Sequence, residues 1–393
     1  MAGLLLIAVL YLVVAPAVTL AIAAVAHGIR VALLRKTGAP PAKYSSPETS
    51  GTIPQTHAAH AFHLKWFQPA AAFAGMFKRR SQFEIEIALS RGYVETTPAL
   101  SANMAQMRSP WLAPRLFMTL LAALLSVLFV LQFQNNLLAI PVVYFLGAAT
   151  IPLAVLMAFY EYNSADNVSL ALLARFTALG GAIAVLFATL FYMLTAGIGI
   201  KSGEPVAGLV EESAKLLAVL LVASKLDKTR YPYALNGLLF GAAMGTGFAI
   251  IETSGYILQF SLTMVHVQGH CTLFPGFALP CVQTVPRFSI PAAIAVMSSR
   301  GLLAPFGHII WTAYAAGYYW WQRRERPARS PFFAFCLALV VPVILHTLWD
   351  NFDQSMLGYL INGTAGWIAV LEVMRLGYLQ IWKMTHLSAS TEP

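Results

Sequence analysis

The sequence predicts an all-α fold: a polytopic membrane bundle of about nine transmembrane helices with a long cytoplasmic loop near its N-terminus. Three observations carry that expectation. Hydrophobic residues make up 58% and charged residues 10% of the 393-residue chain, where a soluble domain carries about 25% charged. Apolar stretches of bilayer length, roughly 20 residues, recur along the chain. Nothing in them alternates as barrel strands do, and a bilayer admits only helices or closed barrels. The net charge of +9 is then read as topology and attraction to the lipid bilayer, with no nucleic acid as partner.

The apolar stretches fall at 3–26, 116–133, 137–160, 176–199, 206–224, 234–260, 303–321, 332–350 and 363–384. Residues 3–26 have no basic segment before them and basic residues after them, so they read as a first span and not as a cleaved leader. The chain divides accordingly. Residues 1–115 hold the first span and a long basic loop, and 116–200 hold spans two to four. Residues 201–353 form a catalytic-like membrane core, and 354–393 hold the last span and the tail.

Loop cations set the orientation. Arg30, Arg35, Lys36, Lys43, Lys78, Arg79, Arg80 and Arg108 follow the first span, and Lys225, Lys228 and Arg230 follow the fifth. Arg323, Arg324, Arg326 and Arg329 follow the seventh, and Lys383 follows the ninth. All fall on one side, which the positive-inside rule makes cytoplasmic. The N-terminus is therefore expected outside and the C-terminus inside.

Between the first two spans, His57, His60 and His63 are spaced as a metal-binding face or a plain surface segment would be. Residues 61–80 alternate apolar and basic side chains like an interfacial helix. The outer connection at 261–287 holds Cys271 and Cys281, which either pair or remain free thiols. There is no CxxC, so a zinc knuckle or thioredoxin-like site is excluded. Residues 289–299 are apolar but too short to span, and read as a re-entrant or interfacial piece.

Chemistry concentrates in the core. Glu211, Glu212 and Lys215 open the fifth span, and each such side chain costs a few kcal/mol at membrane depth. On a helix the lysine reaches either acid. The sixth span carries Gly237, Gly241 and Gly245 at four-residue spacing, a face for close helix approach, with Glu252 further along it. The seventh carries His308, and the eighth carries His346 and Asp350 one turn apart. At 1.5 Å rise per residue, these four helices place all of these groups in the outer third of the membrane. Such a set suits water activation by carboxylate and imidazole, with or without a metal. No HExxH, GxSxG or paired intramembrane aspartate points to another protease class.

At these residues the chain resembles the PrsW family of intramembrane proteases. The resemblance rests on Glu211-Glu212-x-x-Lys215, Gly245-x-Gly247-Phe248-Ala249-x-x-Glu252-x-x-x-Tyr256, Gly307-His308 and His346-x-x-Trp349-Asp350. It covers residues 206–352 and is specific as an ordered set. The family is related to the CAAX protease and bacteriocin-processing superfamily, whose Phe-x-x-x-His and His-x-x-x-Asn stand here as Phe248-x-x-x-Glu252 and His346-x-x-x-Asp350. Thr253 departs from the Asn usual after this glutamate.

The resemblance implies a peptidase of a bacterial cytoplasmic membrane, cutting a single-pass protein such as an anti-sigma factor near its extracytoplasmic end. The roles expected are Glu212 as general base, with Lys215 holding Glu211 charged. Glu252, His308 and His346 polarise the carbonyl or hold Zn²⁺, and Asp350 orients His346. The other function open to the same cluster is a proton- or cation-coupled transporter. The nearly apolar inner halves of spans five to eight count against it.

Overall fold

The structure, a computed structural model, describes residues 66–67, 74–134, 136–198, 204–274, 277–351 and 355–389. The expected span at 3–26 and His57, His60 and His63 lie outside these residues. Most of the expected interfacial helix at 61–80 does too.

Among the described residues the protein is mostly helical, and seven stretches are long and apolar enough to cross a membrane. After a short helix α1 (Gln82–Leu89) come α2 (Leu112–Gln134) and α3 (Ile140–Tyr162). Next, α4 (Leu170–Arg175) runs through a π-turn, Phe176–Gly180, into α5 (Gly181–Gly197). Then follow α6 (Glu204–Ala223) and α7 (Ala234–Ser261), and after a hairpin α8 (Ile290–Leu303), α9 (His308–Glu325), α10 (Pro331–Asp350) and α11 (Met356–Ala389).

Two expectations are corrected. The connection at 261–287 departs from the all-α expectation. It is an antiparallel hairpin, β1 (Leu262–Phe274) on β2 (Phe277–Phe288), in register from Leu262 opposite Phe288 to Thr272 opposite Ala278, with an irregularity before Phe274 meets Phe277. Val265 faces Val285 across it as a β-branched pair, and Thr263 and Thr284 add further β-branched residues. Within it Cys281 is disulfide-bonded, while Cys336 is free. The second correction concerns α6. It is helical over the expected fifth span but is not among the seven apolar stretches, because Glu211, Glu212 and Lys215 interrupt it.

The short piece expected at 289–299 is α8, 14 residues long, which at 1.5 Å per residue reaches only about two thirds of the way across a hydrocarbon core. A 3-10 turn, Ala304–Phe306, and Gly307 separate it from α9. That break sets His308 at the first residue of a new helix.

The bundle is built around α7, whose apolar window is 89% buried against 22–56% for the other six stretches. It packs on α9, α3, α5, α8 and α11. Its glycine face receives α9: at Gly241 an added Cβ would meet the Thr312 carbonyl, and at Gly245 it would stand 2.5 Å from the His308 carbonyl oxygen. The close approach lets Glu252 reach His308.

The basic connections meet at one end of the bundle. The Arg230 guanidinium donates to Gly92 O at 2.7 Å, and Asn167 donates to Arg230 O at 2.6 Å. Asp166 takes Arg91 at 3.2 Å and Arg108 at 2.6 Å, and Arg324 lies over the Tyr233 ring. Buried Asn163, Asn167 and Asn236 bond one another there, and Glu161 accepts the backbone N–H groups of Trp111, Leu112 and Ala113 at the start of α2. The expected gathering of loop cations on one face thus has a physical counterpart in contacts between those loops.

Candidate active site

The opposite end of the bundle holds the ionisable cluster. Glu211, Glu212 and Lys215 lie in the third and fourth turns of α6, Glu252 in the outer part of α7 and His308 at the start of α9. His346 and Asp350 end α10. All six expected site residues belong to one chain of contacts.

Its centre is Lys215, fully buried, with Nζ 2.6 Å from Glu212 Oε1, 2.8 Å from His308 Nδ1 and 3.7 Å from Glu211 Oε2. The Phe248 ring covers the ammonium at 4.4 Å. Glu212 Oε1 also meets His346 Nδ1 at 2.8 Å, while His346 Nε2 lies 3.5 Å from Asp350 Oδ2 and 3.8 Å from Glu211 Oε2. The Tyr192 hydroxyl on α5 donates to Glu211 Oε1 at 3.0 Å. On the other flank, His308 Nε2 meets Glu252 Oε2 at 2.7 Å, and Arg300 of α8 donates to that same oxygen at 2.8 Å.

Three expected relations change. Lys215 was expected to hold Glu211; it reaches Glu211 at 3.7 Å but lies closer to Glu212, at 2.6 Å. Adjacent helix residues diverge by about 100°, and it is Glu212 that points inward. Asp350 was expected to orient His346, but the carboxylate at hydrogen-bond distance from the ring is Glu212. Glu252 was expected to act with His308 and His346 on the carbonyl or a metal; it is shared between His308 and Arg300. Among the described residues, the group whose ligand atoms all lie within 4.8 Å of one another is Glu211, His308 and His346.

An ammonium only donates, so His308 Nδ1 accepts from Lys215 and its Nε2–H faces Glu252. By the same logic His346 donates from Nδ1 to Glu212, which leaves the Nε2 lone pair open. Glu211 Oε2 is buried without a hydrogen-bond partner. One carboxylate and two imidazoles form a known zinc donor set, and a carboxylate behind an imidazole is the usual support of such a ligand. The residues therefore fit a zinc ion. Ligation through His308 Nδ1 would replace its contact with Lys215.

The sequence reading did not assign a role to Arg300 or Tyr192. Arg300 bridges Glu252 and Thr253 Oγ1 (3.3 Å) and lies 4.0 Å over the Tyr256 ring. Its signal was a lone cation ending a short apolar stretch on the outer side. Tyr192 carries no signal in an apolar helix. Trp311 stacks on His346 with centroids 4.7 Å apart and fixes that ring from its face. A cavity of about 520 Å³ opens onto His308 and Arg300 between α7, α8, the start of α9 and the facing ends of α10 and α11.

An apolar helical bundle with carboxylates and imidazoles gathered near one end defines an integral membrane protein with a hydrolase-like polar centre. A family model described as PrsW family intramembrane metalloprotease matches residues 168–374, just over half of the chain, from the start of α4 into α11. The chain belongs to this family and is an intramembrane protease. No curated protein and no solved structure matches it.

Proposed function

We propose that the chain hydrolyses a peptide bond in a single-pass membrane protein, such as an anti-sigma-factor-like substrate, near the extracytoplasmic end of that substrate's span. The supporting observation is the grouping of Glu211, His308 and His346 within 4.8 Å at the bundle end opposite the basic connections. With those connections in the cytoplasm of a bacterial membrane, the group faces outward and the C-terminus inward.

Glu211, His308 and His346 are the residues that would hold Zn²⁺. Bound there, zinc supplies Lewis acidity toward water and the scissile carbonyl. The chain supplies the rest. Glu212 holds the Nδ1 proton of His346 and is neutralised by Lys215, which suits it to positioning and not to proton transfer. Glu252, steadied by Arg300, fixes His308 from its Nε2 side. Asp350 makes no ion pair with a lysine or arginine among the described residues and lies beside His346 Nε2 with its side chain 24% exposed. It takes the proton of the attacking water, and the departing amine receives that proton as the C–N bond breaks.

The test is cleavage of a single-pass substrate by the purified full chain in proteoliposomes. Removing metal with a chelator should stop cleavage and adding zinc should restore it. Asp350→Asn should lower the rate by on the order of 10²–10⁴ with zinc content unchanged. Undiminished cleavage by protein stripped of metal would overturn the zinc assignment, and full activity of Asp350→Asn would overturn the proton route.

A further inference from the structure

A second cavity lies at the other end of the bundle, far along α6 and α7 from the ionisable cluster. It measures about 490 Å³ and sits between the end of α6, the connection 224–233, α7 and the last turns of α9. Its inner wall is apolar and aromatic: Leu220, Ala223, Phe240 and Trp320. Phe240 is fully buried and meets the Trp320 ring edge-on at 5.9 Å, and the Trp320 indole N–H is tied to Tyr231 O at 3.0 Å. The wall is therefore built and rigid.

The mouth differs in kind. Lys228, Arg323 and Arg324 line it, and Asp227 is its one carboxylate. Asp227 is engaged locally, accepting the Thr229 hydroxyl at 2.7 Å and the Thr229 N–H at 2.8 Å. Those bonds hold its carboxyl below the usual range, so it stays ionised and the mouth carries three cations against one anion. Lys228 is exposed and makes no ion pair among the described residues. Arg323 keeps one nitrogen on Arg329 O at 2.6 Å, which aims the guanidinium without neutralising it.

Depth decides what such a cavity takes. The apolar helices α6 and α7 end here and the basic connection begins, so the mouth lies at headgroup level, with Tyr231, Tyr319 and Trp320 as interfacial aromatics. Leu217 and Leu221, one turn apart on α6 and both exposed, continue an apolar surface away from it toward the bilayer centre. A cation cluster over an apolar slot at that depth matches a phosphate ester carrying acyl chains.

We propose that this cavity binds an anionic phospholipid, with its phosphate at Lys228, Arg323 and Arg324 and the start of an acyl chain against Phe240 and Trp320. The same phosphate chemistry could come from a soluble phosphomonoester, which would not use the apolar wall. The proposal does not depend on the catalytic assignment.

The test uses the purified full chain in detergent, with lipid binding read by native mass spectrometry and thermal stability. The probes are phosphatidylglycerol, phosphatidylcholine of the same chains, and glycerol phosphate. Phosphatidylglycerol should bind and raise the melting temperature, and the other two should do neither. Lys228→Gln with Arg324→Gln should weaken phosphatidylglycerol by roughly 5-fold per cation removed. Asp227→Asn, which keeps an acceptor for Thr229, should strengthen it. The double control Lys225→Gln with Lys383→Gln alters cations near the same end that do not line the cavity, and should leave binding unchanged. Equal loss in that control would mean diffuse surface attraction and would overturn the site. Equal binding of phosphatidylcholine, or binding of glycerol phosphate alone, would overturn the lipid. If the double variant does not fold, the Asp227→Asn comparison still decides: no gain there ends the proposal.

Discussion

Glu211→Gln is expected to abolish cleavage while leaving the protein folded, and Glu212→Gln is expected to damage both. The two glutamates are neighbours in sequence but not in environment. Glu211 carries a buried oxygen with no hydrogen bond and keeps its side chain 13% exposed toward the histidines. Its loss should cost cleavage more than the roughly 10–100-fold of a supporting partner, with a melting temperature near wild type. Glu212 is sealed between Lys215 and His346. Neutralising it strands a fully buried ammonium, which costs about 3–5 kcal/mol. Glu212→Gln combined with Lys215→Met removes both charges and should recover stability without recovering activity. Cleavage of a reporter substrate and thermal unfolding of each variant read out the difference. An active Glu211→Gln, or a stable Glu212→Gln, would remove the distinction between them.

Gly245→Val should disable the protein through packing alone. A Cβ there stands 2.5 Å from the His308 carbonyl oxygen, and helix backbone cannot give way as a flexible side chain would. Overpacking of this kind costs about 1–3 kcal/mol. Any relief moves α9 off α7 and takes His308 away from Glu252, so activity should fall further than stability. Gly255 on the same helix is the internal control. An added Cβ meets nothing within 4 Å there, so Gly255→Ala should be neutral or gain up to about 1 kcal/mol from helix propensity. Equal thermal stability of the two variants would show that the glycine face does not set the α7–α9 distance.

Several features were legible because membrane burial makes charge expensive. An ionisable side chain in an apolar run stands out wherever it lies, and Glu211, Glu212, Glu252, His308, His346 and Asp350 were found that way. The helix-period rise then put them at one height. The glycine face of α7 was readable too, although its partner was not, since four-residue spacing names a face and not the helix that meets it. The hairpin at 262–288 was missed because it lies beyond the spans. Hydropathy has nothing to say there, and its alternation is interrupted by Gly269, Pro280 and Pro286.

The chain alone determined that this is a helical membrane protein, which connections carry its cations, which ionisable side chains interrupt its apolar spans, and its likeness to PrsW proteases. Only the tertiary structure decided who pairs with whom. Lys215 is one turn from both Glu211 and Glu212, so spacing leaves its choice open, and the choice falls to the rotation of α6 against α9 and α10. Arg300 finds Glu252 because the hairpin reverses the chain and brings α8 back alongside α7. Glu211 joins His308 and His346 because α6 and α10 pack side by side. Periodicity places a side chain at a height and on a face, but contacts across helices depend on how the helices turn toward one another. That turning is set by the whole packed core, with Gly245 against His308 at its centre.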